Sequence, residues 1–168
     1  MWVKQCEATT PLSYLIIYIS SINQTKTKME INTNFLRNND LGLLLLRVSV
    51  GGLMLFHGVH KLIYGVGFIG GMLAQMGLPS FIAYFSLAAE LIAALMIVAG
   101  LWTRLASVIM AGNMVVAILM AHLGTLFTVD PVTGGWAVEL PMLYLLGAAA
   151  LVFTGGGKYA ATRSGVLS

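Results

Sequence analysis

Four basic side chains interrupt a long apolar stretch near the middle of the sequence. His57, His60 and Lys61 fall within LFHGVHKLIYG at residues 55–65, and Arg47 lies ten residues before His57. A charged side chain at the centre of a lipid bilayer costs at least about 2.5–3.5 kcal/mol. These side chains therefore need a position facing other protein groups, a bound ligand, or water at a helix end.

Helical geometry places most of these polar groups on one face. At about 100° per residue, a helix brings Arg47, His57 and Lys61 into a stripe about 120° wide, together with Gly51 and Gly58. A face of arginine, histidine and glycine would gain nothing from lipid contact. The stripe is therefore expected to point towards neighbouring helices.

A buried acid offers a partner for the buried arginine. Glu90 lies on a small-residue face of a second apolar segment, at a depth that a long arginine side chain can reach. Each charge alone would be uncompensated in the membrane, so we predict an Arg47–Glu90 ion pair. Such a pair is as consistent with fixing the register of two helices as with a functional site.

A second polar layer is predicted near the external surface of the membrane, further from the inner ends of the helices than Arg47 and Glu90. His57, His122 and Glu139 fall within about two helical turns of that surface, with His60 and Lys61 at the margin. A histidine near the interface of an apolar cleft suits a lipid-soluble quinone, which needs a hydrogen-bond donor and a route for protons. Haem b held by His57 and His122 is an alternative. In a purely structural reading, Lys61 extends to the lipid headgroups and His122 is an interface residue.

Composition excludes several other kinds of site. The chain has 168 residues, of which 58% are hydrophobic and 9% charged, against about a quarter charged in soluble domains. A single cysteine, Cys6, leaves no basis for a disulfide or a cysteine-rich metal site, and too few carboxylates accompany the three histidines to predict a metal site. No nucleotide-binding or zinc-protease motif is present, and the basic residues form no nucleic-acid stripe. The lipid bilayer is the first partner that the sequence indicates.

Four apolar segments are long enough to cross a bilayer, which takes about 20 helical residues. They predict an all-α membrane protein, a four-helix antiparallel transmembrane bundle, with spans near 41–63, 80–100, 103–123 and 136–154. The very short GLWT link makes the second and third spans an antiparallel hairpin.

The distribution of Lys and Arg predicts orientation. With four spans, one side of the membrane carries most of the basic residues, and by the positive-inside rule both termini are cytoplasmic. These residues are Lys4, Lys26, Lys28, Arg37, Arg104, Lys158 and Arg163.

Residues 1–40 and 161–168 are expected to lie outside the bundle. The first region is polar, and its apolar run LSYLIIYISSI is too short to span. We predict an N-terminal arm, either loosely ordered or interfacial, unless translation starts naturally at Met29. Residues 161–168 are predicted to form a cytoplasmic tail.

The spans also carry a family pattern. LLLLRVSVGGLMLFHGVHKLIYG, then MGLP, then AELIAALMIVAGLWTRLASVI, and finally TGGGKYA after the fourth span resemble the DoxX family over about residues 41–160. The matching positions are Arg47, Gly51, His57, Gly58, Lys61, Pro79, Glu90, Gly100, Thr103 and Arg104. The resemblance implies a bacterial cytoplasmic-membrane protein related to the small membrane subunit of thiosulfate:quinone oxidoreductase. This chain is shorter and has no cysteine in its spans, which argues against thiosulfate as its substrate.

Three functions follow from these observations. The first is the membrane subunit of a quinone-linked oxidoreductase or, as the family resemblance also implies, of a stress-related redox complex. It would bind quinone and receive electrons from a soluble or peripheral partner, because no intrinsic cofactor motif is present. The second is a scaffold that anchors partner enzymes, with polar residues that serve only packing. The third, a small transporter, is disfavoured because there is neither an internal repeat nor a broken helix. Self-association into a homo-oligomer is compatible with all three.

Overall fold

The computed structural model describes residues 11–36, 38–162, 165 and 167. Apart from an isolated bridge between Val129 and Trp136, their regular structure is helical, which confirms the all-α prediction for this part of the chain. The helices are α1 (Pro11–Leu36), α2 (Asn39–Tyr64), α3 (Gly67–Gln75), α4 (Ser80–Ala99), α5 (Thr103–Ala121) and α6 (Glu139–Thr154).

Within the described residues, α2, α4 and α5 are long and apolar enough to cross a membrane. Their bounds agree with the first three predicted spans to within about two residues. The fourth predicted span is shorter than expected, because α6 begins at Glu139. Residues before it belong to a hydrogen-bonded loop, in which the Ala137 amide donates to the Thr128 carbonyl.

The chain divides into two compact units, Met1–Asn38 and Asn39–Ser168. In the first unit, the predicted polar arm contains helix α1. Lys4, Cys6, Arg37 and Arg163, which entered the sequence arguments, lie outside the described residues.

Four helices of the second unit share one hydrophobic core. Helix α2 packs against α4 and α6, and α5 packs against the same two helices. Each helix contributes a stripe of buried side chains to the core: Val50 and Met54, Ala93, Ala94 and Ile97, Ala106, Met110 and Met114, and Tyr144, Ala148 and Leu151. This arrangement fixes the relative positions of the polar side chains on α2, α4 and α5.

Two glycines bring α2 directly against the α4 backbone. A Cβ atom on Gly51 would lie 2.8 Å from the Ala94 carbonyl oxygen, and one on Gly58 would lie 2.7 Å from the Glu90 carbonyl oxygen. Neither distance is compatible with a side chain, so both positions depend on glycine for the close approach. Small residues at helix contacts have this role in many membrane proteins. The consequence for function is that the Lys61 end of α2 lies beside Glu90.

Candidate functional site

Glu90 lies in an irregular turn of α4. The first residues of this helix, Ser80–Ile82, form a 3₁₀ turn, and residues Ala89–Ala93 form a π-helical turn before α-helical geometry resumes at Ala94. Such π-turns are rare in proteins, and those that occur are often found at functional sites. The Glu90 side chain is almost wholly buried, with 4% of the residue exposed. A carboxylate at this depth needs compensating partners.

Three side chains converge on one oxygen of that carboxylate. Glu90 Oε1 accepts hydrogen bonds from Lys61 Nζ at 2.5 Å, from Asn113 Nδ2 at 3.2 Å and from Ser86 Oγ at 3.3 Å. Lys61 Nζ also donates to Ser86 Oγ at 3.1 Å. We refer to Lys61, Ser86, Glu90 and Asn113 as the Glu90 cluster.

The second carboxylate oxygen is different. Glu90 Oε2 is buried and accepts no hydrogen bond from the residues that the structure describes. Buried polar atoms without a partner are uncommon, and they often mark a place where a water molecule or ligand binds. The Glu90 cluster therefore combines a neutralised charge with one open acceptor.

The predicted Arg47–Glu90 ion pair is wrong. Arg47 is buried and donates to three main-chain carbonyls: Nε to Ile97, Nη2 to Val98 and Nη1 to Gly156, at 3.0, 2.9 and 2.7 Å. Ile97 and Val98 lie in the last turn of α4, the end of a helix that carries partial negative charge. The arginine thus finds its compensation in backbone dipoles, and Lys61 is the cation that pairs with Glu90.

The positions of two other residues, Lys61 and Asn113, also differ from those expected from the sequence. Lys61 was given a structural reading as a side chain reaching the headgroups, but it extends inwards to Glu90 and is only 23% exposed. Asn113 was left out of the predicted site, although it binds Glu90 directly. The sequence signal that could have identified Asn113 is its type, since an amide in the middle of an apolar span needs a polar partner.

A half-open groove leads to this cluster. It has a volume of about 450 Å³ and is formed by α3, α4 and α5. Its walls are apolar side chains and Gly112, except at Ser86 and Asn113, both of which hydrogen-bond to Glu90. We refer to this space as the lateral groove. Apolar walls with a few convergent polar groups are typical of small-molecule sites.

The predicted polar layer of His57, His60, His122 and Glu139, which we call the outer pocket, lies elsewhere. His57 is exposed, with Nδ1 3.3 Å from the Leu53 carbonyl oxygen and its ring edge-on to Tyr144 at 5.8 Å. His60 is exposed beside the Tyr64 ring, at 4.5 Å between centroids.

His122 and Glu139 occupy helix ends. His122 follows the last residue of α5 and is partly buried, and Glu139 is the exposed first residue of α6. In the described part of the chain, no hydrogen bond, ion pair or ring contact joins His57, His122 and Glu139. A quinone or haem held by these residues stays a prediction.

The described residues contain no group of three or more His, Cys, Asp or Glu side chains that could hold a metal ion. The chemistry available at the Glu90 cluster is therefore that of a carboxylate, an ammonium group, a hydroxyl and an amide. These groups donate and accept hydrogen bonds and can carry protons.

Comparison with known proteins assigns the chain to a family. The DoxX family model matches residues 42–123, which contain α3, α4, α5 and most of α2. A relative named "Putative oxidoreductase CatD", from Bacillus subtilis (strain 168), is 35% identical over 116 residues, which cover 69% of this chain and 81% of the relative. The chain belongs to the DoxX family. The whole Glu90 cluster lies within the segment that the DoxX model matches. No solved structure matches the chain.

Proposed function

We propose that this DoxX protein is the membrane subunit of a quinone-linked oxidoreductase and that the lateral groove receives the quinone ring. The observation that carries the proposal is the position of Ser86 and Asn113. They are the polar side chains on the groove wall, and both are bonded to the buried Glu90 carboxylate. The name of the Bacillus subtilis relative supports a redox role.

The groove suits a quinone in size and polarity. Its volume of about 450 Å³ lies within the range of about 300–1,000 Å³ that is typical of ligand pockets. The Asn113 amide has two N–H donors, and only one is used by Glu90. The second is suited to a ring carbonyl, while apolar walls accommodate the ring and its isoprenoid chain.

A bound quinone would supply two-electron, two-proton chemistry, and the Glu90 cluster would supply its polar environment. Asn113 would orient the ring through its free N–H. Lys61 pairs with Glu90 Oε1, and Glu90 Oε2 remains available to accept a proton or a hydroxyl donor. Proton transfer is therefore assigned to Glu90 and ring positioning to Asn113.

Electrons must come from another protein, because the sequence carries no motif for a redox cofactor. We propose a soluble or peripheral redox protein as this donor. The proposed topology is four spans in the bacterial cytoplasmic membrane with both termini in the cytoplasm, in which α6 and the residues just before it form the fourth span. The distribution of Lys and Arg supports this orientation.

The test is mass spectrometry of organic extracts from the purified protein. We expect near-stoichiometric quinone in wild type and a loss of most of it in Asn113→Leu. Ser107→Ala is the matched control: Ser107 is a buried polar residue on the same helix that does not line the groove. It should retain the quinone.

A His57→Ala variant distinguishes the two candidate locations. Loss of quinone in His57→Ala with retention in Asn113→Leu would move the site to the outer pocket with His122 and Glu139. Absence of quinone from wild type, together with unchanged quinone reduction by membranes of all variants, would refute a redox role and favour a scaffold. Far-ultraviolet circular dichroism and gel filtration establish that each variant is folded.

A further inference from the structure

A second, polar pocket lies at the opposite end of the helices from Lys61. It has a volume of about 270 Å³ and is lined by Arg104, Thr154, Gly155, Gly156, Gly157, Thr162 and Gly165. We refer to it as the terminal pocket. None of its lining residues takes part in the Glu90 cluster or the lateral groove.

Arg104 brings a positive charge to the terminal pocket. Its Nε atom is buried and has no hydrogen-bond partner among the described residues. Among the described residues the ion pair found is Lys61–Glu90, so Arg104 has no acidic partner among them. A buried donor on a charged group is costly when it is unsatisfied, and an arginine presents several such donors in a fixed planar geometry.

The glycine loop adds further donors. The described residues offer no acceptor to the main-chain amides of Gly156 and Gly157, both of which line the pocket. The next amide, that of Lys158, already binds an anionic oxygen, since it donates to Asp40 Oδ1 at 2.9 Å. Successive amides of a glycine-containing turn commonly bind anions in this way.

The loop is held in place by the buried arginine on α2. Arg47 Nη1 donates to the Gly156 carbonyl at 2.7 Å. The N–H group of the same peptide, that of Gly157, points away from this carbonyl and is not used by Arg47. A Cβ on Gly156 would lie 2.6 Å from Thr103 Oγ1, so the loop packs tightly against the start of α5. These contacts hold the peptide between Gly156 and Gly157 in place.

We propose that the terminal pocket binds a phosphoryl group through the Arg104 guanidinium and the Gly156 and Gly157 amides. Arginine matches the geometry of phosphate oxygens with paired N–H donors. Two sources share this chemistry, the phosphodiester headgroup of an anionic lipid and a free phosphate. The proposal is independent of quinone binding.

The first experiment uses native mass spectrometry of delipidated protein supplied with phosphatidylglycerol or phosphatidylcholine. If a lipid headgroup is the ligand, wild type retains phosphatidylglycerol preferentially and Arg104→Gln binds it about tenfold more weakly, the loss expected for charged hydrogen bonds. Lys158→Gln is the matched control, because it removes an exposed basic residue from the same loop. It should behave as wild type.

The second experiment distinguishes a free phosphate and uses the wild-type protein, so it does not depend on a variant folding. Phenylglyoxal modification of Arg104 is followed by peptide mass spectrometry in inorganic phosphate and in chloride of equal ionic strength. Protection by phosphate, without preference for phosphatidylglycerol, supports a soluble phosphoryl ligand. Equal modification in both salts, with equal lipid binding by wild type and Arg104→Gln, overturns the proposal.

Discussion

Lys61 and Glu90 form an ion pair across the contact between α2 and α4, with Lys61 Nζ 2.5 Å from Glu90 Oε1. The two side chains differ in exposure, at 23% for the lysine and 5% for the glutamate. The lysine thus bridges the surface of the protein and a carboxylate that has little contact with solvent. Lys61 is therefore the more accessible partner, and Glu90 relies more on the pair because little solvent reaches its charge.

Replacing Lys61 by methionine should destabilise the protein by about 3–5 kcal/mol, because an ionised carboxylate would remain buried without its cation. The double variant Lys61→Met/Glu90→Gln should recover much of this loss. Reversible unfolding in mixed detergent micelles measures both. Equal stability of wild type and Lys61→Met would show that the pair contributes nothing to the fold.

Gly58→Ala should destabilise the α2–α4 contact by about 1–3 kcal/mol, the usual cost of inserting atoms into a packed interface. The added Cβ would meet the Glu90 main chain at 2.7–2.8 Å. Gly52→Ala is the control, since nothing lies within 4 Å of its Cβ position on the same helix. It should be neutral or slightly stabilising because alanine favours helix. Similar melting temperatures for the two variants would argue against the close approach.

Arg47→Lys should cost about 2 kcal/mol or more, because an ammonium group cannot reach three separated carbonyls as a guanidinium does. We expect a lower melting temperature and faster hydrogen exchange at residues 155–162, which follow α6. The exposed Lys158→Ala serves as control and should leave both unchanged. Normal exchange at these residues in Arg47→Lys would mean that the arginine does not hold them.

The loop between α5 and α6 should resist mild acid. The amides of Thr133 and Val132 donate to Asp130 and hold the pKa of its carboxyl below the ordinary value. Since the pKa is lower in the folded loop, the stabilisation is present above the ordinary value and is lost only as pH falls through the lowered pKa.

Hydrogen exchange of residues 128–136 should therefore show protection that persists from neutral pH to about pH 5 and weakens in stronger acid, after correction for the intrinsic rate. Asp130→Asn should reduce the protection at neutral pH, approach wild type in strong acid and so abolish this pH dependence. An identical acid profile in wild type and variant would assign the protection to other bonds, such as that from Trp136 Nε1 to the Leu126 carbonyl.

The helices of the second unit were largely predictable from the lengths of the apolar segments. Residues 41–63, 80–100 and 103–123 correspond closely to α2, α4 and α5. Helix α3 was not predicted, because the glycines of GFIGGMLAQ favoured a loop when judged by residue type alone. The π-helical turn at Glu90 in α4 is also not evident from the sequence. Such a turn changes the hydrogen-bond register of the helix without requiring a distinctive residue.

The site was less predictable because partners were chosen by depth. Arg47 and Glu90 are the most buried charges, so pairing them was the simplest solution. The carbonyls at the end of α4, however, provide Arg47 with hydrogen-bond partners without any acid. Once Arg47 is satisfied, Glu90 requires another cation, and Lys61 is close enough because Gly58 brings α2 against α4.

The three bonds of Arg47 also bear on how the protein is assembled in the membrane. Two of its acceptors, Ile97 and Val98, are available as soon as α2 and α4 have met, but the third, Gly156, is 109 residues further along the chain. During synthesis the third carbonyl partner of the guanidinium therefore becomes available only after the end of α6. Docking of α6 thus brings the arginine its third acceptor, and a chain cut short before residue 155 would lack that acceptor and be exposed to the cell's quality-control proteases.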